Sequence, residues 1–270
     1  MNISFHNGVS GMLAYQEDMN QIAHNVANAG TVGYKPSRSV FQDLLYTRMA
    51  VNSEEEPLVG HGVRVADNHL VYRQGPLLQN GAGGLDFALV GDGFFAVELV
   101  DGSIQYTRNG SFNISIEPAV DDAGAPILKD GEPLYQGFLV DEEGNHVLDS
   151  EGKRIELPRL KGDDGLFDLK GLKDRLGIYD FPNPYGLEHQ SGVRFTANEV
   201  SGEAVAIIKG TETGDYHGRS YSIIENALEQ SAVELSTEMV DAIVSQRAFQ
   251  INAKMVQTAD ELEQVVNNLR

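Results

Sequence analysis

An apolar stripe at each end of the chain constrains its fold more than any other feature. In both stripes apolar residues recur at helical spacing, close to every seventh residue. A helix with such a stripe needs a partner helix to bury it, so the chain is predicted to join an assembly. The stripe residues are Val9, Met12, Met19, Ile22 and Val26 near the start, and Val240, Ile243, Val244, Ile251, Met255, Leu262, Val265 and Leu269 near the finish.

The first stripe predicts a helix over residues 4–28. We expect it to end in a left-handed cap at 28–30, where asparagine and glycine tolerate positive φ. Gly33 and Pro36 then interrupt any regular helix. The apolar and aromatic residues of 40–46 predict either a short second helix or an extended arm.

The second stripe predicts a long C-terminal helix that begins after Ser231 or Ser236. Ser231 and Glu234 have the spacing of a capping box, in which two side chains satisfy free backbone groups at a helix start. From there the chain runs to its end without glycine or proline. About thirty residues at 1.5 Å each give a helix on the order of 45 Å, a length typical of coiled coils.

Alternating apolar residues and glycine turns predict antiparallel β structure between the helices. Asp101-Gly102 and Asn109-Gly110 separate three alternating runs, which predicts a three-stranded meander. Further turns are expected at 130–131, 143–144 and 151–152, at 181–186, and in a polar connector over 210–220. The predicted fold class is therefore α+β, with N- and C-terminal helices paired as a coiled coil around a central antiparallel β-rich domain.

The same pattern divides the chain into four segments. We predict an N-terminal coiled-coil helix and arm over 1–50 and an extended connector over 51–75. A central β-rich domain follows over 76–215, and a C-terminal coiled-coil helix over 216–270.

Charge is concentrated in the middle of the chain. The net charge is −20; residues 1–50 hold three basic and three acidic groups, whereas residues 51–220 hold fourteen basic and twenty-nine acidic groups. Nucleic acid and anionic lipid would be repelled, so we expect neither as a partner. No apolar run reaches the roughly 18 residues that span a bilayer, so no membrane insertion is expected. The N-terminus lacks a basic lead and a long apolar run, so we expect no cleaved signal peptide.

No string of residues predicts catalysis, a cofactor or a metal site. The glycines at 81–84 precede a strand-like run, whereas a phosphate-binding loop follows a strand, so a turn is the better interpretation. The acidic run at 141–145 has its glycine too early for a calcium loop and is predicted to be a hairpin turn. The seven histidines have no metal-ligand spacing.

Four segments, in order along the chain, resemble signatures of the flagellar rod, hook and hook-associated axial proteins. The match covers both ends and much of the middle. Residue 24, a histidine here, is usually asparagine or glycine in the family, and Gly30 replaces a usual polar residue. The segments are SGMLAYQEDMNQIAHNVANAGTVGYKPSRSVFQDLLY (10–46), LDFALVGDGFFAVELVDGSIQYTRNGSF (85–112), IYDFPNPYGLE (178–188) and ALEQSAVELSTEMVDAIVSQRAFQINAKMVQTADELEQVVNNL (227–269).

This resemblance implies a structural subunit without enzymatic activity. It implies self-assembly into a helical tube of the flagellar basal body that transmits torque and conducts exported subunits. The implied partners are copies of the chain, neighbouring rod and hook proteins, and the type III export apparatus. Within the family's ANAGTVGYK stretch, Asn28, Gly33 and Tyr34 are candidate subunit contacts beside the two stripes.

Length and the FQDLLY segment favour a place in the distal rod. A hook or proximal rod subunit is the alternative, because the closing NNLR is hook-like. A more remote alternative from another class is a secreted β-domain binding module on a coiled-coil stalk.

Overall fold

A computed structural model of the chain describes residues 3–48, 58–79, 85–118, 128–129, 132–133, 135–158, 167–169, 171–190, 192–207 and 221–269. The turns predicted at 81–84 and 130–131 and the connector at 210–220 lie outside these residues. Among the described residues, no helix combines the length and the apolar character that crossing a membrane requires.

Two long helices lie at the two ends of the described chain, and short strands lie between them in sequence. The helices are α1 Ile3–Ala27, α2 Leu172–Arg175 and α3 Leu235–Asn268, with a 3₁₀ turn at Pro184–Gly186. The strands are β1 Ser37–Asp43, β2 Tyr46–Arg48, β3 Leu58–Gly60, β4 Val63–Leu70, β5 Leu77–Gln79, β6 Phe87–Val90, β7 Phe95–Glu98, β8 Ile104–Thr107, β9 Asn113–Pro118, β10 Leu128–Lys129, β11 Glu132–Pro133, β12 Tyr135–Val140, β13 His146–Val147, β14 Glu156–Leu157, β15 Ile178–Asp180, β16 Glu188–His189, β17 Arg194–Thr196, β18 Val205–Ile207, β19 Ser222–Glu225 and β20 Ala227–Glu229.

Contacts divide the chain into two compact units. The helical unit comprises Met1–Ala29, Pro36–Val71 and Val233–Arg270, and the sheet unit comprises Gly30–Lys35 and Tyr72–Ala232. The α+β class is therefore confirmed, with a helix at each end and an antiparallel sheet between them. Each unit draws on more than one of the four segments predicted from the sequence, and that division stays a prediction.

The helical unit holds α1, α3 and two β-ribbons. Strand β1 pairs antiparallel with β4, and β2 pairs antiparallel with β3. Residues 37–43 are therefore extended, which decides between the two predictions for the arm. Both β1 and β4 lie against α1.

Two details of the helix ends differ from the sequence prediction. No residue of 28–30 has positive φ; instead the Asn28 side-chain amide donates to the His24 carbonyl at 2.9 Å, which satisfies the helix end without a left-handed residue. The prediction of a capping box formed by Ser231 and Glu234 is also wrong. Helix α3 begins at Leu235, with Glu234 as its N-cap and no side-chain hydrogen bond to the cap. Ser231 lies three residues before that cap.

The sheet unit is built around an eight-stranded antiparallel sheet. Its strand order is β14-β12-β13-β7-β8-β17-β16, and β9 pairs with β12 beside this path. Alternate residues of β7, such as Phe95 and Val97, point to a core on one face of the sheet, as the period of two requires. That core includes Phe87, Phe95, Phe112, Leu139, Val147 and Leu157.

Three hairpin turns of the sheet unit have the same backbone pattern. In the turn after β7, the amide of Gly102 donates to the Leu99 carbonyl at 2.9 Å, and φ of Gly102 is 81°. Gly144 and Gly152 occupy the same place at φ 89° and 76°. These positions favour glycine because a Cβ is strained there. The predicted turns at 101–102, 143–144 and 151–152 are confirmed, including the hairpin interpretation of the acidic run.

The prediction that a third strand pairs with β8 across the Asn109-Gly110 turn is wrong. Strand β8 pairs with β7 and with β17, while β9 pairs with β12. Neither Asn109 nor Gly110 has the positive φ that a two-residue type I′ turn needs. A Cβ at Gly110 would lie 1.7 Å from the Phe87 carbonyl oxygen, so this glycine allows a close backbone approach.

Candidate assembly surface

Helices α1 and α3 lie antiparallel, and polar side chains meet where they touch. The Nδ2 of Asn25 donates to the Glu238 carboxylate at 3.1 Å. One heptad further along both helices, the Ser245 hydroxyl donates to the Asp18 carboxylate. One heptad further again, Asn252 faces Gly11. We call Asp18, Asn25, Glu238, Ser245 and Asn252 the polar ladder.

Glycines bring the two backbones close together next to the polar ladder. A Cβ at Gly8 would lie 2.7 Å from a methyl group of Val256, and a Cβ at Gly11 would lie 2.7 Å from Oδ1 of Asn252. Gly8 and Gly11 are one helical turn apart, so they present one smooth strip to α3. Apart from Ile22, the buried residues of α1 are thus small or polar: Gly8, Gly11, Ala14 and Asn25.

The apolar stripe of α3 lies largely outside the contact with α1. Val244 is 57% exposed and Ile251 is 64% exposed, although each directly precedes a residue of the polar ladder. Consecutive helical residues are about 100° apart around the axis, so the stripe and the polar ladder are adjacent faces. The other stripe residues, Val240, Ile243, Met255, Leu262, Val265 and Leu269, are also exposed.

The apolar stripe of α1 is only partly covered. Ile22 is buried against the rest of the helical unit, and Val9, Met12 and Met19 are half-buried. Val26 is exposed, as is Leu13 beside the stripe. Together the two helices therefore present apolar side chains that the single chain does not bury.

The three candidate contacts after α1 lie in different settings. Asn28 ends α1, as described above. Gly33 has φ 70° and donates its amide to the Glu229 carbonyl at 2.7 Å. Tyr34 is 3% exposed, and its carbonyl accepts from the Ala232 amide at 3.0 Å. Gly33 and Tyr34 thus contribute to the interior of the sheet unit, and their role between subunits stays a prediction.

Beside them lies a buried charged cluster formed by Lys35, Arg108 and Glu229. The Lys35 ammonium lies 2.6 Å from one Glu229 oxygen, and the Arg108 guanidinium lies 3.4 Å from the other. The Gly75 amide donates to the same carboxylate at 2.8 Å. Arg108 also donates to the Gly91 carbonyl at 2.6 Å. The cluster joins parts of the chain that are far apart in sequence.

Burial dominates the electrostatics of this cluster. It lowers the pKa of Lys35 and of Arg108, because a low-dielectric interior disfavours a charge, and the nearby Glu229 carboxylate partly offsets the shift. The Arg108 guanidinium also lies over the Phe94 ring at 5.2 Å, a favourable cation–π contact. Removing the Glu229 carboxylate would leave the two buried cations with Asp92, which acts on each of them less strongly than Glu229, as their acidic neighbour.

Neither the polar ladder nor the charged cluster was predicted from the sequence. Asp18, Asn25, Glu238, Ser245 and Asn252 do repeat every seventh residue, which is the signal that could have found them. That signal is weak because polar residues at such spacing usually form a solvated helix face. Lys35, Arg108 and Glu229 carry no local pattern at all. Among the described residues, no three His, Asp or Glu side chains are grouped to hold a metal.

Comparison with known proteins assigns this architecture to a family. Residues 224–269 match the family model "Flagellar basal body rod FlgEFG protein C-terminal", and residues 88–164 match "Flagellar hook protein FlgE/F/G D1 domain". The flagellar basal-body rod protein FlgG of Borreliella burgdorferi is 33% identical, with 97% of this chain and 96% of the relative covered. The FlgG protein of Bacillus subtilis is 31% identical, with 99% and 98% covered.

The chain belongs to the flagellar rod and hook protein family. Within it, the chain is most like the distal rod protein FlgG, so it is a structural rod subunit located in the flagellar basal body. The first family model ends at residue 269 and contains all of α3, whereas the second covers strands of the central sheet. The exposed stripe of α3 therefore lies within a segment that the family model describes.

Proposed function

We propose that this chain is a distal rod subunit that polymerises into a helical tube through the apolar stripes of α1 and α3. In the tube, the two helices pair as a coiled coil and pack against the same helices of neighbouring subunits. The tube transmits torque and conducts exported subunits, a mechanical function without an enzymatic step. Neighbouring rod and hook proteins continue the tube at its ends, and the type III export apparatus delivers the chain.

The exposed stripe of α3 is the observation that carries this proposal. It extends over almost the full 34 residues of the helix. Soluble monomers seldom leave an apolar surface of this kind uncovered unless it is an interaction site. Fully burying one such side chain contributes roughly 1.5–3 kcal/mol, so several of them support a stable assembly.

The distribution of charge also supports assembly through the ends of the chain rather than through its middle. Residues 1–50 have no net formal charge, whereas residues 51–220 hold fifteen more acidic than basic groups. Many copies of the neutral N-terminal segment can pack together without strong repulsion. The acidic middle segments of different subunits repel one another and favour contact with solvent, which limits sideways association.

Ile251→Asp tests the proposal directly. A carboxylate in the middle of a buried apolar interface is costly, so we expect the critical concentration for polymerisation to rise at least ~100-fold, the equivalent of about 3 kcal/mol. Ile243→Asp should act in the same way. Sedimentation of polymer and electron microscopy give the readout, and near-ultraviolet circular dichroism checks that the sheet unit stays folded.

Gln257→Asp is the matched control. Gln257 is exposed on α3 and lies roughly 120° around the helix from Ile251. The Gln257→Asp substitution adds the same charge outside the stripe, so the variant should polymerise about as well as the unmodified protein. Normal polymerisation of Ile251→Asp would show that the stripe is not the assembly surface.

A further inference from the structure

We infer that the polar ladder holds α3 in the rotation and register in which its apolar stripe lies largely outside the contact with α1. The orientation of α3 against α1 is a property of the single chain and is independent of whether the chain polymerises. It requires an explanation, because an apolar stripe would ordinarily pack against the nearest helix.

The competing arrangement is close in geometry. Val244 directly precedes Ser245, and Ile251 directly precedes Asn252. A rotation of α3 by about 100°, one residue around the helix, would turn these apolar side chains toward α1. That rotation would bury the stripe within one chain and remove it from any other partner.

The polar ladder opposes this rotation through hydrogen bonds that only one arrangement permits. Asn25 is 1% exposed; its amide nitrogen reaches both Glu238 and the Ser37 carbonyl, and its oxygen accepts from the Ser37 amide. Glu238 is buried as well. Turning α3 would withdraw Glu238 from Asn25 and Ser245 from Asp18, leaving buried polar groups without these partners.

The spacing of the polar ladder also selects the register. The Asp18–Ser245 and Asn25–Glu238 contacts are separated by seven residues on both helices. A slip of one heptad in one direction would oppose Asp18 to Glu238, two carboxylates. A slip in the other direction would oppose Asn25 to Ser245 and withdraw Glu238 from Asn25. Polar residues in a helix interface are known to fix register at a cost in stability.

The absence of cysteine from the chain makes a clean test possible, because each introduced thiol is the only one present. Ile251→Cys reports on the stripe, and Ala259→Cys reports on the face toward α1, where Ala259 is 4% exposed. In the otherwise unmodified monomer, we expect maleimide to alkylate Ile251→Cys at least tenfold faster than Ala259→Cys.

Replacing Asp18, Asn25, Glu238 and Ser245 together by alanine removes the hydrogen bonds and retains good helix formers. We expect alkylation of Ile251→Cys to become at least fivefold slower in this background, because the stripe now turns toward α1. Unfolding would not slow it. The matched control replaces by alanine four residues that are exposed on the same helices, Gln16, Asn20, Gln246 and Gln250. It should leave the alkylation rate of Ile251→Cys unchanged.

A charge exchange decides the question if the four-alanine variant loses its helices. Ser245→Asp alone opposes two carboxylates and should expose Ala259→Cys to rapid alkylation. Adding Asp18→Ser restores a hydroxyl–carboxylate pair and should restore protection. The inference is overturned if the helical four-alanine variant keeps the original rate at Ile251→Cys, or if the exchange variant regains no protection.

Discussion

Glu229 holds together three segments of the sheet unit that are far apart in sequence. Its carboxylate contacts Lys35, Arg108 and the Gly75 amide, and its carbonyl accepts from Gly33. Buried charges of this kind persist only when each has a partner, because an isolated charge pays the full cost of leaving water. The cluster therefore makes the unit depend on one side chain.

Glu229→Ala should destabilise the sheet unit by about 3–5 kcal/mol, because it removes the carboxylate that the buried Lys35 and Arg108 side chains both contact. Urea unfolding followed by tyrosine fluorescence measures the change. Glu98→Ala is the matched control, since it breaks a partly exposed ion pair with Arg154, in which the Glu98 side chain is 23% and the Arg154 side chain 47% exposed, and it should cost about 1 kcal/mol. Equal effects of the two substitutions would contradict the importance assigned to the cluster.

Tyr179 makes the stability of the sheet unit depend on pH in the alkaline range. Burial raises the pKa of its hydroxyl to about 12, and the hydroxyl donates to the Asp149 carbonyl at 2.6 Å. A raised acid pKa contributes stability that is complete below the unfolded pKa of about 10 and is lost as pH rises through 12. We expect Tyr179→Phe to lose less stability than the unmodified protein between pH 10 and 12. Identical pH slopes in urea titrations would refute this role.

At the scale of elements, local patterns predicted the helices and the glycine turns. The stripes indicated α1 and α3, and Asp101-Gly102 indicated the β7–β8 hairpin. The hairpin predicted at Asn109-Gly110 does not form, because β8 pairs instead with β17, which begins at Arg194, more than eighty residues later. Pairings over such distances depend on the whole sheet, and no local turn signal contains them.

The side chains that face each other across α1 and α3 could not be predicted in the same way. Both the apolar stripe and the polar ladder have helical periodicity on α3, and hydrophobicity favours the stripe as the packed face. The structure packs the polar ladder instead. The hydrogen bonds to which we attribute this orientation, Asn25 with Glu238 and Ser245 with Asp18, join the two helices and cannot be inferred from either helix alone.

The close approach of the helices at Gly8 gives a prediction for the element itself. A side chain there collides with Val256 and with the backbone at Asn252, so Gly8→Ile should force α1 and α3 apart. We expect its thermal midpoint, followed by circular dichroism at 222 nm, to fall. Ala23→Ile places the same side chain at an exposed site of α1 and should change the midpoint little. A midpoint of Gly8→Ile equal to that of the control would argue against close packing.

At the scale of the whole molecule, the helical unit and the sheet unit differ in what they bury. The sheet unit has an aromatic and aliphatic core of its own. The helical unit leaves its most apolar surface, the stripe of α3, in contact with solvent. A chain that combines a domain with its own core and a helix pair with an uncovered apolar stripe is expected of a subunit that buries this stripe against its neighbours.

Electron microscopy of the purified chain at increasing concentration tests this account most directly. The account predicts helical tubes above a critical concentration, and their loss in Ile251→Asp but not in Gln257→Asp. A chain that remains monomeric at every concentration, or that forms the same tubes with Ile251→Asp, would contradict it.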